Sequence, residues 1–173
     1  HVRSEMPAVR PVFQQLNSAS VARALNDRDV ELSLTGGGVI GGRLRARALG
    51  RNDYACVFDP SRRPATQELT LAEFIARDHL LVTREGVSGA VDDIMAEHGL
   101  ERRVRAATSH YAALPALLIG SGMLATIPRH AARALVGTGL AMRDPPLPFP
   151  DYPITLGWRV DAQRDPGLLA LRD

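Results

Sequence analysis

Gly36, Gly38 and Gly41 stand at G-x-G-x-x-G spacing within residues 34–42, LTGGGVIGG. That spacing lets a backbone approach a pyrophosphate, provided a helix follows to hold the phosphate on its free N–H groups. Arg43-Leu44-Arg45-Ala46-Arg47-Ala48-Leu49 follows instead, and its period-two alternation is that of a strand. The glycines therefore read as a surface loop between strands, and no dinucleotide site is expected. The five histidines, His1, His79, His98, His110 and His130, show no metal-ligand spacing with one another or with Cys56. Cys56 lies beside Val57 and Phe58, which suits a buried structural thiol rather than a nucleophile. Asp92 and Asp93 are adjacent carboxylates, but neighbouring helical residues diverge by about 100°, so they read as a solvated face. No nucleophile elbow, P-loop or H-E-x-x-H occurs. The expectation is a protein that is not an enzyme and needs neither metal nor cofactor.

One stretch carries binding chemistry. TSHYAALP, residues 108–115, falls where a strand ends and a helix begins, the place where open α/β sheets take ligands. Ser109 is the expected helix cap. His110 adds a proton-adjustable donor and Tyr111 an aromatic wall. A purely structural cap is the alternative reading.

The elements that must position these residues alternate along the chain. Residues 9–16 read as extended and residues 17–30 as a helix capped by Ser18, with Val21, Ala22 and Leu25 at helical spacing. With a strand at 30–35 this suggests a parallel strand–helix–strand crossover. Strands follow at 43–49 and 52–58. A short helix comes next, with Thr70 and Glu73 spaced as a capping box. A strand at 78–83 leads to an amphipathic helix with Val91, Ile94, Met95 and His98 on one face and Gly99 as its stop. Further strands are expected near 102–108, 123–128, 140–144 and 154–160. Helices are expected near 110–122 and 129–137 and after Pro166. This is an α/β pattern.

Composition permits that reading. Of 173 residues 45% are apolar, enough for a core, and no apolar run approaches the roughly 20 residues of a membrane span. One cysteine excludes an internal disulfide and suits a reducing compartment. All 21 basic residues are arginine against 19 acidic ones, so no strong field for nucleic acid is expected. RLRAR, residues 43–47, is the one dense basic run and reads as the solvated face of a strand.

Three segments carry a resemblance to a known family: residues 12–37, residues 89–135 (which include MLATIPRHAA), and residues 147–173, where a tryptophan is followed by DPGLLALR. In this order the chain resembles the effector-binding domain of LysR-type transcriptional regulators, within the branch of nodulation and aromatic-degradation regulators. The resemblance implies a type 2 periplasmic-binding-protein fold: two Rossmann-like α/β lobes joined by crossing strands, with a small effector in the cleft between them. The first lobe would hold residues 1–52 and 151–173, the second residues 53–150. Pocket positions implied by the resemblance are Asn17 and Ser18, Thr83 to Gly86, Ser109, His110 and Tyr111, and Gly157 with Trp158 on the return strand.

The family's first strand, most of its first helix and its winged helix–turn–helix have no counterpart in the sequence. Arg159 stands where the branch carries histidine after the tryptophan, which bears on which effector is bound. The implied role is that of a cytoplasmic sensing and oligomerisation domain, dimeric or tetrameric, reaching DNA only through the missing N-terminal domain and touching no membrane. Its effector would be aromatic or carboxylate-bearing, held by Ser18, His110 and Tyr111 with Trp158 behind. Residues 9–16 would pack against residues 111–127 of a second copy. A solute receptor of the same fold serving a transporter is the chief alternative. A second is a small α/β enzyme with His110 as general base, for which no nucleophile or base–orienter pair can be identified.

Overall fold

A computed structural model describes residues 6–7, 9–37, 42–62, 67–84 and 88–172. The chain divides into two compact units, His1–Arg51 with Tyr152–Asp173, and Asn52–Asp151. Gly38, Gly41 and Gly86 lie outside the described residues.

The first unit is built on helix α1 (Ser18–Asn26) and strands β1 (Leu32–Thr35), β2 (Leu44–Asn52) and β8 (Tyr152–Arg159), ordered β1-β8-β2. β1 pairs antiparallel with β8, Leu32 opposite Trp158 and Thr35 opposite Thr155. Val21 and Leu25, four apart on α1, bury against Leu44 of β2. The cap of α1 is Asn17, not Ser18: the Asn17 side-chain oxygen accepts from the Ser20 amide at 2.8 Å. Two residues of cap-forming type stand side by side here, and the helical register selects the first.

The expected crossover also fails. Residues 9–16 are in no strand, and Val12 and Phe13 are 81% and 91% exposed. A strand needs a neighbour for its backbone groups, and β1 takes β8 as its antiparallel partner instead. Gly36 has a packing reason of its own: a Cβ there would meet the Tyr152 ring at 2.9 Å.

The second unit is a five-stranded sheet with helices on both faces. Its strands are β3 (Tyr54–Phe58), β4 (Asp78–Val82), β5 (Arg103–Thr108), β6 (Leu124–Pro128) and β7 (Ala141–Arg143), ordered β5-β4-β6-β3-β7. β4 runs parallel to β5 and β6, whereas β3 runs antiparallel to β6 and β7. Alternation along β3 divides the core. Ala55 and Val57 meet Leu114 and Leu118 of α4 (Leu114–Leu118) and Ala132 and Leu135 of α5 (Arg129–Val136). Cys56 and Phe58 meet Phe74 of α2 (Leu71–Ala76) and Val91 and Met95 of α3 (Ala90–Glu97) on the other side.

Two local expectations change here. Thr70 caps α2 through the Glu73 amide at 3.2 Å, but the Glu73 carboxylate pairs with Arg77 one turn on rather than closing a capping box. Asp92 is no solvated carboxylate. It accepts from the Gly89 amide at 2.7 Å and grips Arg102 through both oxygens at 2.6 and 2.8 Å, with the Arg102 side chain only 1% exposed. Cys56 is buried, as expected, with its sulfur 3.5 Å from Thr126 Oγ1.

Candidate functional site

The parallel strands β4, β5 and β6 end along one edge of the second unit, and the antiparallel β3 begins there, with Tyr54 opposite Pro128. Thr83 extends the β4–β5 ladder by donating its amide to the Thr108 carbonyl at 2.9 Å. Ser109 does not cap the following helix as expected. That helix opens as a 3₁₀ turn, Tyr111–Ala113, with His110 at the cap position and no side-chain cap bond. Thr108 Oγ1 turns back to accept the His110 amide at 3.2 Å, and Ser109 Oγ lies 2.8 Å from His110 Nδ1. The 3₁₀ amides are left without a side-chain cap, and the serine contact orients the ring of His110, an exposed residue.

Tyr111 is half-buried against the α4–α5 core, and burial raises its hydroxyl pKa, with the charge of Tyr54 adding to the effect. Tyr54 is raised by burial too and packs edge-on to Phe149, ring centroids 5.7 Å apart. Both phenols therefore stay neutral donors at physiological pH. Thr83, Ser109, His110 and Tyr111 are thus brought to one edge.

The same edge carries groups that sequence reasoning passed over. Arg129, first residue of α5, donates Nε to both Asp53 oxygens at 2.7 and 2.8 Å, Nη1 to Asp144 at 2.8 Å and Nη2 to the Tyr54 carbonyl at 2.9 Å. Its hydrogen bond holds the Asp53 carboxyl below the ordinary carboxylate range, and the pairing in turn raises Arg129. His130 Nδ1 lies 2.9 Å from Asn52 Nδ2. The signal that would have found them is the one used for Ser109: Arg129 and His130 also follow a strand directly and open a helix.

In the first unit Asn17 and Ser18 open α1, while Gly157 lies opposite Ser33 and Trp158 opposite Leu32. Trp158 is 8% exposed, its Nε1 has no hydrogen-bond partner, and the Arg172 guanidinium sits 4.3 Å from its ring centre. Arg159, next in β8, bonds the Leu25 carbonyl at the far end of α1. Eight residues separate Leu25 from Asn17, about 12 Å along the helix. Trp158 therefore stands toward the opposite end of this unit from Asn17 and Ser18, and the first unit does not cluster the four.

The whole chain, residues 1–173, matches the LysR substrate binding domain family. It is 33% identical over 128 residues to the HTH-type transcriptional activator NagR of Ralstonia sp, covering 73% of this chain and 42% of that protein. Nodulation protein D 3 of Rhizobium leguminosarum bv. phaseoli is 30% identical over 121 residues, 68% of this chain and 40% of that one. The chain thus spans about two fifths of the length of these curated relatives. Among solved structures, the regulatory domain of MexT, a transcriptional activator in Pseudomonas aeruginosa, superposes with a TM-score of 0.86 at 27% identity, covering 99% of this chain and 84% of that one. CbnR, a LysR family transcriptional regulator, shares the fold at a TM-score of 0.71 and 15% identity, covering 97% of this chain and 58% of that one. These relatives are regulators of transcription and not enzymes, and no described helix is long and apolar enough to cross a membrane. The chain belongs to the LysR substrate-binding-domain family of transcriptional regulators, with the two-lobed α/β fold of their effector-binding domains.

Proposed function

We propose that this chain is the effector-sensing and oligomerisation domain of a cytoplasmic LysR-type regulator, and that it takes a small aromatic or carboxylate-bearing molecule at the carboxyl edge of its second lobe's parallel strands. The observation that carries the reading is the Ser109–His110–Tyr111 arrangement at the carboxyl edge of β5. A histidine whose Nδ1 lies against a serine hydroxyl keeps its other ring nitrogen for a ligand. It binds a carboxylate more strongly once protonated. Tyr111 supplies a neutral phenol and a ring face beside it. Thr83 joins the set at the same edge of the second lobe. In the first lobe Asn17 and Ser18, at the start of α1, form a second proposed group, and Gly157 and Trp158, toward the other end of that lobe, stand apart from it. A ligand that prefers one lobe arrangement shifts the population of that arrangement, and a dimer or tetramer passes the preference to DNA-binding domains elsewhere in the protein. The name of the relative NagR, a transcriptional activator, agrees with a regulatory role.

The test is a thermal-shift screen of the chain against benzoate, hydroxybenzoates, phenols and neutral sugars. Aromatic acids should raise the melting temperature, and His110→Ala should remove most of the rise while leaving the ligand-free melt unchanged. A rise equal in His110→Ala, or one produced by sugars alone, sinks the assignment.

A further inference from the structure

The basic run 43–47 remains unexplained by an effector site. Within β2 only Leu44 is buried, against Val21 and Leu25 of α1, and residues 45–51 are exposed. Strand alternation turns Arg45 and Arg47 to the face opposite α1. Arg47 accords with that by donating to the Arg172 carbonyl of α6 (Pro166–Arg172), the helix whose arginine covers Trp158. Arg43 lies one step before the strand in the same phase, its carbonyl accepting the Val160 amide at 2.8 Å. Among the described residues, neither Arg43 nor Arg45 has an ion pair or a side-chain hydrogen bond. Two residues of strand advance about 6.7 Å, so three guanidinium groups stand in a row about 13 Å long.

β2 is also an edge of its sheet, paired on one side by β8. A bare edge invites a second strand, but a second copy of β2 laid antiparallel would set arginine against arginine, which like charge opposes. The row therefore selects a polyanion. A lipid surface would ask for apolar side chains able to insert, and residues 45–51 offer Leu49 alone, 49% exposed. Duplex DNA asks for none. Its backbone presents one phosphate per 3.4 Å of rise on each strand, and arginine forks hold phosphate oxygens in pairs.

We infer that the arginine row of β2 is a sequence-independent contact for the DNA backbone, used beside the site to which the regulator's DNA-binding domain is bound. The inference rests on reading the chain as part of a DNA-binding regulator, since that tether is what keeps duplex at high local concentration. It agrees with the small overall charge, which supports no specific recognition by this domain alone.

The experiment is fluorescence anisotropy of a 30-base-pair duplex of arbitrary sequence against the 173-residue chain, from 50 to 200 mM salt. Three phosphate contacts give a log–log salt slope of about −2.7, a roughly 40-fold loss of affinity over that range. The triple variant Arg43→Gln/Arg45→Gln/Arg47→Gln should lose the slope and most of the binding at 50 mM. Arg45→Gln alone, at an exposed position with no partner to break, should lower the slope by about one. Unchanged slopes in both variants overturn the inference. So does an absence of wild-type binding at 50 mM, or equal affinity for vesicles containing 30% anionic lipid. The effector screen stays separate, because the triple variant should keep its ligand-induced melting shift.

Discussion

Acidification from pH 7 toward pH 4 charges a side chain that the fold of the second unit keeps neutral. His79 on β4 is fully buried. It donates from Nε2 to the Phe74 carbonyl at 2.8 Å, stands edge-on to the Phe74 ring at 4.7 Å, and has no hydrogen-bond partner at Nδ1. Burial is the main cause that lowers its pKa from 6.5 to about 4, with the Arg102 charge adding to it, while the bond to Phe74 and the charges of Asp92 and Asp78 oppose. Between those two values the unfolded chain binds a proton that the folded chain refuses. Stability is therefore complete above pH 6.5, falls as pH drops from 6.5 to 4, and falls no further from this cause below 4. The whole difference corresponds to about 3 kcal/mol, of which about 2 kcal/mol is lost between pH 7 and pH 5. The depressed carboxylates Asp53, Asp59 and Asp92 hold their contribution throughout that interval, since each loses it only below its ordinary 3.8.

Urea denaturation at pH 7, 6 and 5 measures this directly. The wild type should lose about 2 kcal/mol across the series. His79→Gln, which can still donate to the Phe74 carbonyl, should start less stable and then stay nearly flat. A flat wild-type series, or the same slope in His79→Gln, would refute the reasoning, because the loss would then belong to other groups or not exist.

Three further outcomes are expected. Asn17→Ala should cost about 1 kcal/mol by freeing the Ser20 amide. A cost near zero in thermal melts would remove Asn17 as the cap. Arg159→His should cost about 2 kcal/mol by urea denaturation, because it leaves the Leu25 and Val30 carbonyls without their donor. A cost near zero would show that water satisfies them. Finally, sedimentation at micromolar concentration should show a dimer or larger, and Phe13→Ser, at a side chain 91% exposed, should weaken it. A wild-type monomer would count against self-association.

The α/β alternation was legible because the second unit's strands and helices carry their periods plainly. Ala55 to Phe58 split their side chains between two helical layers, and Val91 and Met95 mark a single buried stripe. Less legible was anything decided by a partner distant in sequence. Residues 9–16 look like a strand by themselves, but nothing in their composition says whether a neighbour will pair with them. Ser109 has the chemistry of a cap and spends it on His110, a choice made by the 3₁₀ opening of the helix. Arg129 and Asp53 are 76 residues apart, so their joint presence at the sheet edge appears only when β3 and β6 lie side by side.

Arg159 carries the same lesson to the question of ligand. The resemblance sets it where relatives of this branch place histidine, next to a tryptophan assigned to the pocket, which invites a role in choosing the effector. Alternation along β8 argues otherwise. Trp158 lies under Arg172, whereas Arg159 turns to the other face, toward α1. There its side chain, 8% exposed, spends Nη1 on the Leu25 and Val30 carbonyls, Nη2 on Glu31 and Nε on Asp161, and Arg28 closes the chain of charges on the second Asp161 oxygen. Arg28 adopts a left-handed backbone, φ 64°, at the turn that ends α1, a conformation costing a non-glycine residue about 1 kcal/mol or more. A guanidinium so engaged has one N–H left at most and no freedom to follow a ligand. Arg159 is thus accounted for by the packing around the end of α1, which leaves it no pair of donors to turn toward a ligand.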